Sequence, residues 1–219
     1  MRRLLSHLGR PSSAQKPQEV VMTSHLPFSG AAERNQEPIS EILAELLAVD
    51  TPRILEIGSG TGQHVEFFAG RFPHWQLQPS DRDNTNFDAI EARASTYPNV
   101  ASPVLIDLLS PPTDIPRVYD AVLAVNVFQV APSAIVDALF HLARTVLRPS
   151  GQVFTYSPLT HKGHFTSEGD RQFHMRLRER SPDLGIRSFE EVQRAALDAG
   201  FSSCTEHAMP ANNWLTHAR

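Results

Sequence analysis

Arg53-Ile-Leu-Glu-Ile-Gly-Ser-Gly-Thr-Gly62 reads as a buried strand that ends in an acidic residue and a glycine-rich turn. Ile54, Leu55 and Ile57 make a short apolar run of the kind a parallel strand carries when helices cover both its faces. Gly58, Gly60 and Gly62, with Ser59 and Thr61 between them, permit turns and a close backbone approach that a Cβ would block. Gln63-His-Val-Glu-Phe-Phe-Ala69 follows as a helix over 63–71, whose first N–H groups would face whatever the loop holds. Strand, loop and helix in this order make a binding crevice; a glycine-rich turn with no ligand is the alternative.

Outward from this unit, helices and strands alternate. Residues 30–49 place Ile39, Ile42, Leu43, Leu46 and Leu47 at helical spacing, and Pro52 closes the segment. Trp75–Asp81 reads as the second strand after the Phe72-Pro73 break, with a helix starting near Asn84. Val104–Asp107 is a third apolar run and Tyr119–Asn126 a fourth. A helix over 132–147 and a turn at Arg148–Gly151 lead to a strand over 152–157. Helices over 168–180 and 188–199 and strands over 201–207 and 213–217 finish the chain. This alternation predicts an α/β fold with a doubly wound parallel sheet.

The chain's 219 residues, 41% of them hydrophobic, suffice for one domain with a sizeable core. The net charge of −4, with no Lys/Arg stripe in the folded part, argues against bulk nucleic-acid binding. The single cysteine, Cys204, falls in a predicted strand, which implies a reducing compartment and no catalytic thiol. No apolar run has the length of a membrane span, so a soluble chain with no membrane partner is expected. Residues 1–27 form a leader, separate from a domain over 28–219. Arg2, Arg3, Arg10 and Lys16 stand in its first 18 residues without an acidic residue. It reads as a mitochondrial or plastid transit peptide, or as a basic tail on a cytoplasmic protein.

Which cofactor the loop seats turns on spacing and charge. Dinucleotide loops of the G-x-G-x-x-G kind hold a pyrophosphate at the helix N-terminus. Here the glycines run G-x-G-x-G, and Gln63 follows Gly62 directly. Glu56 puts a carboxylate where a phosphate would be repelled and a cationic sulfonium bearing an ammonium group would not. Asp81 lies about twenty residues beyond the loop, where an acidic residue at a strand tip bonds ribose hydroxyls. Capping of the helix near Asn84 is the alternative, and Asp81 does not separate a sulfonium donor from NAD.

Glu56-x-Gly58-x-Gly60-x-Gly62 as a whole resembles the first motif of class I S-adenosylmethionine (SAM)-dependent methyltransferases. That resemblance implies SAM as cofactor. It also implies a Rossmann-like fold: a mostly parallel seven-stranded sheet with helices on both faces and a C-terminal antiparallel hairpin. By the same resemblance Asp107 with Leu108 would serve the adenine, and Asn126 with Val127 would line the pocket floor. A turn role for Asp107 before Pro111-Pro112 and a structural role for Asn126 are the alternatives.

Four separated stretches resemble something narrower, the methyltransferase-like 26 family, whose members are classed as SAM-dependent enzymes without a settled substrate. They are Phe28-Ser29-x-Ala31-Ala32-Glu33-Arg34-Asn35-x-Glu37-Pro38-Ile39, Leu55–His64, Gln78-Pro-Ser-Asp81 and Met209-Pro-Ala-Asn-Asn213. Departures lie on the substrate side. Asn126-Val-Phe-Gln129-Val stands where relatives read Asn-Met-Ile-His-Ile, and Ser157-Pro158-Leu159 where they read Gly-Pro-Phe. Gly169-Asp170 and His174 replace Ser-Asn and an aspartate. Trp214–Arg219 is more polar than the apolar last strand the family implies, which points to a frayed sheet edge.

Further polar groups complete the candidate site. Arg34 and Asn35 suit the carboxylate of a methionine moiety through charge-assisted bonds, or else belong to a solvated helix start. Asn212 and Asn213 cap the crevice from the last hairpin or simply make its turn. Tyr156, His161 and His164 follow the fifth strand tip in a loop expected to overhang the pocket, with ordinary surface histidines as the alternative. If an acceptor must lose a proton, His164 is the candidate base by position and Asp107 a remote second. No spacing suits a metal, and no Gly-x-Ser-x-Gly elbow suits a hydrolase.

The expected function is therefore SAM-dependent methyl transfer to a small-molecule or protein acceptor. Two other classes stay open. A degenerate methyltransferase-fold binding or scaffold protein is favoured by the substrate-side departures, and an NAD-dependent oxidoreductase would need pyrophosphate at the loop.

Overall fold

The computed structural model describes residues 26–219, so the expected leader, with its targeting role, lies outside the described residues but for Leu26 and Pro27. The strands are β1 (Arg53–Ile57), β2 (Gln76–Asp81), β3 (Val104–Leu105), β4 (Tyr119–Val125), β5 (Leu147–His161), β6 (His164–Phe165), β7 (Arg187–Ser188), β8 (Cys204–Met209) and β9 (Asn213–Ala218). Seven of them follow the order β3-β2-β1-β4-β5-β9-β8, and the short β6 and β7 pair with the end of β5. β1 to β5 are parallel along this path, and β9 is antiparallel to both of its neighbours. The order reverses between β1 and β4, which is where an open α/β sheet leaves a crevice at the carboxyl ends of its strands.

Strand alternation sorts the core into two layers. Ile54, Ala121, Leu123, Val125 and Phe154 pack on one face against α1 (Gly30–Leu46) and α2 (Gln63–Arg71). Leu55, Ile57, Val122, Ala124 and Val153 pack on the other against α4 (Ile135–Val146) and α6 (Phe189–Asp198). The period of two along a strand forces this division, and it buries both faces as a parallel sheet requires. The remaining helices are α3 (Phe87–Ala94), which packs on α2, and α5 (Glu168–Arg180). Among the described residues no helix is long and apolar enough to cross a membrane.

Three local expectations are corrected. β9 is no frayed edge, because it lies between β5 and β8, and its polar residues have partners within the sheet. Thr216 bonds Thr155 at 2.6 Å, and His217 bonds Gln152 at 2.8 Å while stacking on Phe154 at 4.8 Å. The third strand is a two-residue edge, with Val104 and Leu105 exposed and Ile106 buried behind it. β5 neither begins after the Arg148–Gly151 turn nor ends at Ser157. A register shift against β4 absorbs the turn, and β9, β7 and β6 hold the strand extended to His161.

Candidate functional site

At the carboxyl ends of β1, β2, β4 and β5 the crevice holds two adjoining cavities that share Asn126 and Val130. The inner one, about 520 Å³, is walled by Gly58, Gly60, Asp81, Asp107, Leu108 and Val127 among others. The outer one, about 690 Å³, lies against Arg34, Asn35, Gln129, Tyr156, Asp170, Phe173 and Asn213.

The loop of the inner cavity is tied to its own chain. Ser59 N–H donates to Ser80 O and Gly62 N–H to Ser59 O, each at 2.9 Å, and Gly60 N–H donates to Asp81 Oδ2 at 2.9 Å. Gly60 has φ +53°, and a Cβ there would meet nothing within 4 Å, so its open side forms part of a cradle. Gly62 has a different role: a Cβ would come within 3.0 Å of the Ile90 backbone, so this glycine lets α3 approach the loop. Thr61 Oγ1 donates to Gln63, and neither Thr61 nor Gly62 reaches a cavity wall.

Asp81 does not cap α3, whose N-cap is Asn86 with no side-chain bond. Its carboxylate accepts instead from Gly60 and from Arg82 N–H. Asp107 makes the turn weighed for it, its Oδ1 accepting from Leu109 N–H at 3.0 Å, and it also borders the inner cavity. Asn126 takes φ +58°, its N–H donates to Tyr156 O at 2.7 Å, and its side chain accepts from Gln129.

Glu56 departs most from expectation. Two residues from Ile54, it shares that residue's face of the sheet and points beneath α1 and α2 rather than into the crevice. It is 5% exposed, and burial pushes its carboxyl up to about 7; a bond from Ser59 opposes this and nearby Asp81 adds to it. His64 Nδ1 stands 3.9 Å from Glu56 Oε1, and burial lowers this imidazole to about 4. Its other nitrogen bonds Asn35 Oδ1 at 2.7 Å. Burial keeps the phenol of Tyr156 above the usual tyrosine range, and nearby Asn35 and Arg34 oppose this.

His161 and His164 do not overhang the pocket. Because β5 continues as a strand, His161 is carried to Glu206, which it bonds at 2.7 Å, and packs edge-on against Trp214. His164 sits exposed in β6, paired with His161, and the structure removes it as the base at this crevice. Asn212 is a turn residue at φ +58°, and Asn213 reaches the outer cavity while its amide is tied to Pro210 and Ala211. Cys204 is buried in β8, its thiol pushed up to about 12 mainly by burial, which suits no nucleophile.

Gln129 and Asp170, which the sequence placed on the substrate side only as departures from relatives, stand in the outer wall beside Phe173, which it did not single out. Gln129 follows Asn126 by three residues in a single 3₁₀ turn (Phe128–Val130), and buried Arg187 pins that turn by donating to Phe128 O, Ala131 O and Asp183 O. Asp170 and Phe173 share a face of α5 at a spacing of three, a helical signal present in the sequence but silent about which cavity it meets.

The family described as "Protein of unknown function (DUF938)" matches residues 26–219. Among solved structures, an O-methyltransferase family protein from Burkholderia thailandensis superposes with a TM-score of 0.72 at 15% identity, over 86% of this chain and 57% of that one. Human N-acetylserotonin methyltransferase in complex with SAM superposes with a TM-score of 0.63 at 13% identity, over 93% of this chain and 60% of that one. This chain thus spans little more than half the length of the solved structures it matches. What is shared with them is the class I methyltransferase fold.

Proposed function

This chain belongs to the DUF938 family of proteins of unknown function, and we propose that it is a SAM-dependent methyltransferase whose acceptor enters the outer cavity. One observation carries the reading. The N–H groups of Ser59, Gly60 and Gly62 are already paired within the chain, and the Asp81 carboxylate lies on the loop. A pyrophosphate would find these three donors already taken, whereas a sulfonium carrying an ammonium group needs none of them.

The remaining residues fit the same ligand. The open side of Gly60 leaves room for an adenosine moiety. Asp81 would take the ribose hydroxyls, Asp107 and Leu108 would flank the base, and Arg34 with Asn35 would face the methionine carboxylate. Asn126 and Val127 would sit where the two cavities meet. SAM supplies a methyl already activated on sulfur, so the protein's task is to align the acceptor and exclude water. The resemblance to the methyltransferase-like 26 family belongs to this reading, as does a small-molecule or protein acceptor.

Calorimetry with S-adenosylhomocysteine and NAD tests it. Uptake of the former alone is expected; binding of NAD without S-adenosylhomocysteine sinks the proposal. Incubation of extracts with methyl-labelled SAM then separates an enzyme from a binding protein, because only an enzyme transfers label in a way that depends on an intact loop.

A further inference from the structure

Three buried side chains from three elements, Glu56 of β1, His64 of α2 and Asn35 of α1, stand in a row that ends at the outer cavity, where Asn35 is part of the wall. Burial lowers the His64 imidazole to about 4, so near neutral pH the ring is uncharged and carries a single N–H. That hydrogen belongs on Nε2, which lies 2.7 Å from Asn35 Oδ1, an atom that can only accept. Nδ1 is then bare. It faces Glu56 Oε1 at 3.9 Å, and burial pushes that carboxyl up to about 7, which favours its protonated form. A protonated carboxyl suits a bare ring nitrogen, whereas a carboxylate would call for a hydrogen on Nδ1. With Oδ1 taken, Asn35 has its two amide hydrogens left for the cavity, beside Arg34.

We propose, resting on the methyltransferase reading, that His64 is a positioning residue for cofactor recognition: by holding Asn35 Oδ1 it turns the Asn35 amide so that its N–H groups meet the methionine carboxylate. The two ends of an amide are nearly equal in shape, and the reversed one would set a carbonyl oxygen against that carboxylate. A neutral ring with one hydrogen on Nε2 permits a single orientation. His64 itself borders neither cavity. Arg34 supplies the charge at this spot, and His64 supplies the direction of the hydrogens beside it.

Calorimetry on the full-length protein compares S-adenosylhomocysteine with 5′-methylthioadenosine, which keeps the adenosine and the sulfur but has no amino-acid carboxylate. His64→Leu should weaken S-adenosylhomocysteine about tenfold, the worth of one hydrogen bond to a charged group, and leave 5′-methylthioadenosine within about twofold. His64→Gln, whose amide nitrogen can stand in for Nε2–H, should restore most of the loss. Nitrogen NMR of the wild-type imidazole should find the hydrogen on Nε2, a measurement that needs no variant to fold. Equal weakening of both ligands by His64→Leu, no weakening of either, or a hydrogen on Nδ1 overturns the proposal. Wild type that binds neither ligand sinks the methyltransferase reading instead, and the imidazole hydrogen still decides which end of the Asn35 amide His64 holds.

Discussion

The two cavities that meet at Asn126 are built in opposite ways. The inner one is made largely of strand ends and backbone: Gly58 and Gly60 after β1, Asp81 at the end of β2, Asp107 after β3, Asn126 after β4. Sheet order alone brings those positions together. The outer one is made of side chains from the start of α1, the turn after β4, the middle of β5, α5 and the turn before β9. A cavity defined by backbone keeps its shape through most substitutions, while one defined by distant side chains changes with each of them. On the proposed reading the adenosine of SAM takes the first and the acceptor the second, with Arg34 and Asn35 of the second reaching toward the methionine carboxylate.

The largest blow to that contrast should come from Gly60→Arg. Its side chain would enter the open space of the inner cavity, and S-adenosylhomocysteine affinity should fall at least about 100-fold by calorimetry. The backbone strain of about 1–2 kcal/mol leaves the fold intact, so denaturant unfolding should stay cooperative. An affinity unchanged by the arginine would deny that the inner cavity takes the adenosine.

Gly62→Ala sharpens the comparison within the glycine motif itself. Its Cβ would press on the Ile90 backbone at φ +78°, lowering stability by about 2–4 kcal/mol in denaturant titration. A neutral outcome would deny that this glycine serves packing.

Glu56→Gln probes the layer beneath both cavities. Folding raises Glu56 from 4.5 to about 7, so the native state holds the extra proton across that window and stability falls as pH rises. Folding lowers His64 from 6.5 to about 4, so the unfolded chain holds the extra proton there and stability rises with pH. In wild type the two slopes oppose each other. The variant keeps only the second, and its stability should climb between about pH 4 and 6.5 by on the order of 3 kcal/mol. Parallel profiles for the two proteins would show that Glu56 is not protonated by burial.

The smallest effect is expected at Asp107, which is exposed and already half engaged with Leu109. Asp107→Asn should weaken S-adenosylhomocysteine by only about three- to tenfold, the range of a single bond to an exposed carboxylate.

Much of the inner cavity was legible in the sequence because strand ends announce themselves. An apolar run followed by a glycine or an acid marks a tip, and the alternation of strands and helices places the tips side by side. Glu56 shows the limit of that reading. Its place before the glycines suggested a charge facing the ligand, but counting by twos from Ile54 turns it under α2, where burial and not the cofactor governs its proton. His164 shows another, since its position depended on β5 ending at Ser157, and pairing with β9, β7 and β6 carries the strand onward.

The sequence by itself determined the sheet, its crevice and the residues at the strand tips, because hydrophobic period and turn chemistry are local properties of a chain. Only the tertiary structure decided which side chains close the outer cavity and how far β5 runs. Those facts depend on how elements more than a hundred residues apart come to rest against one another, and no local spacing encodes that.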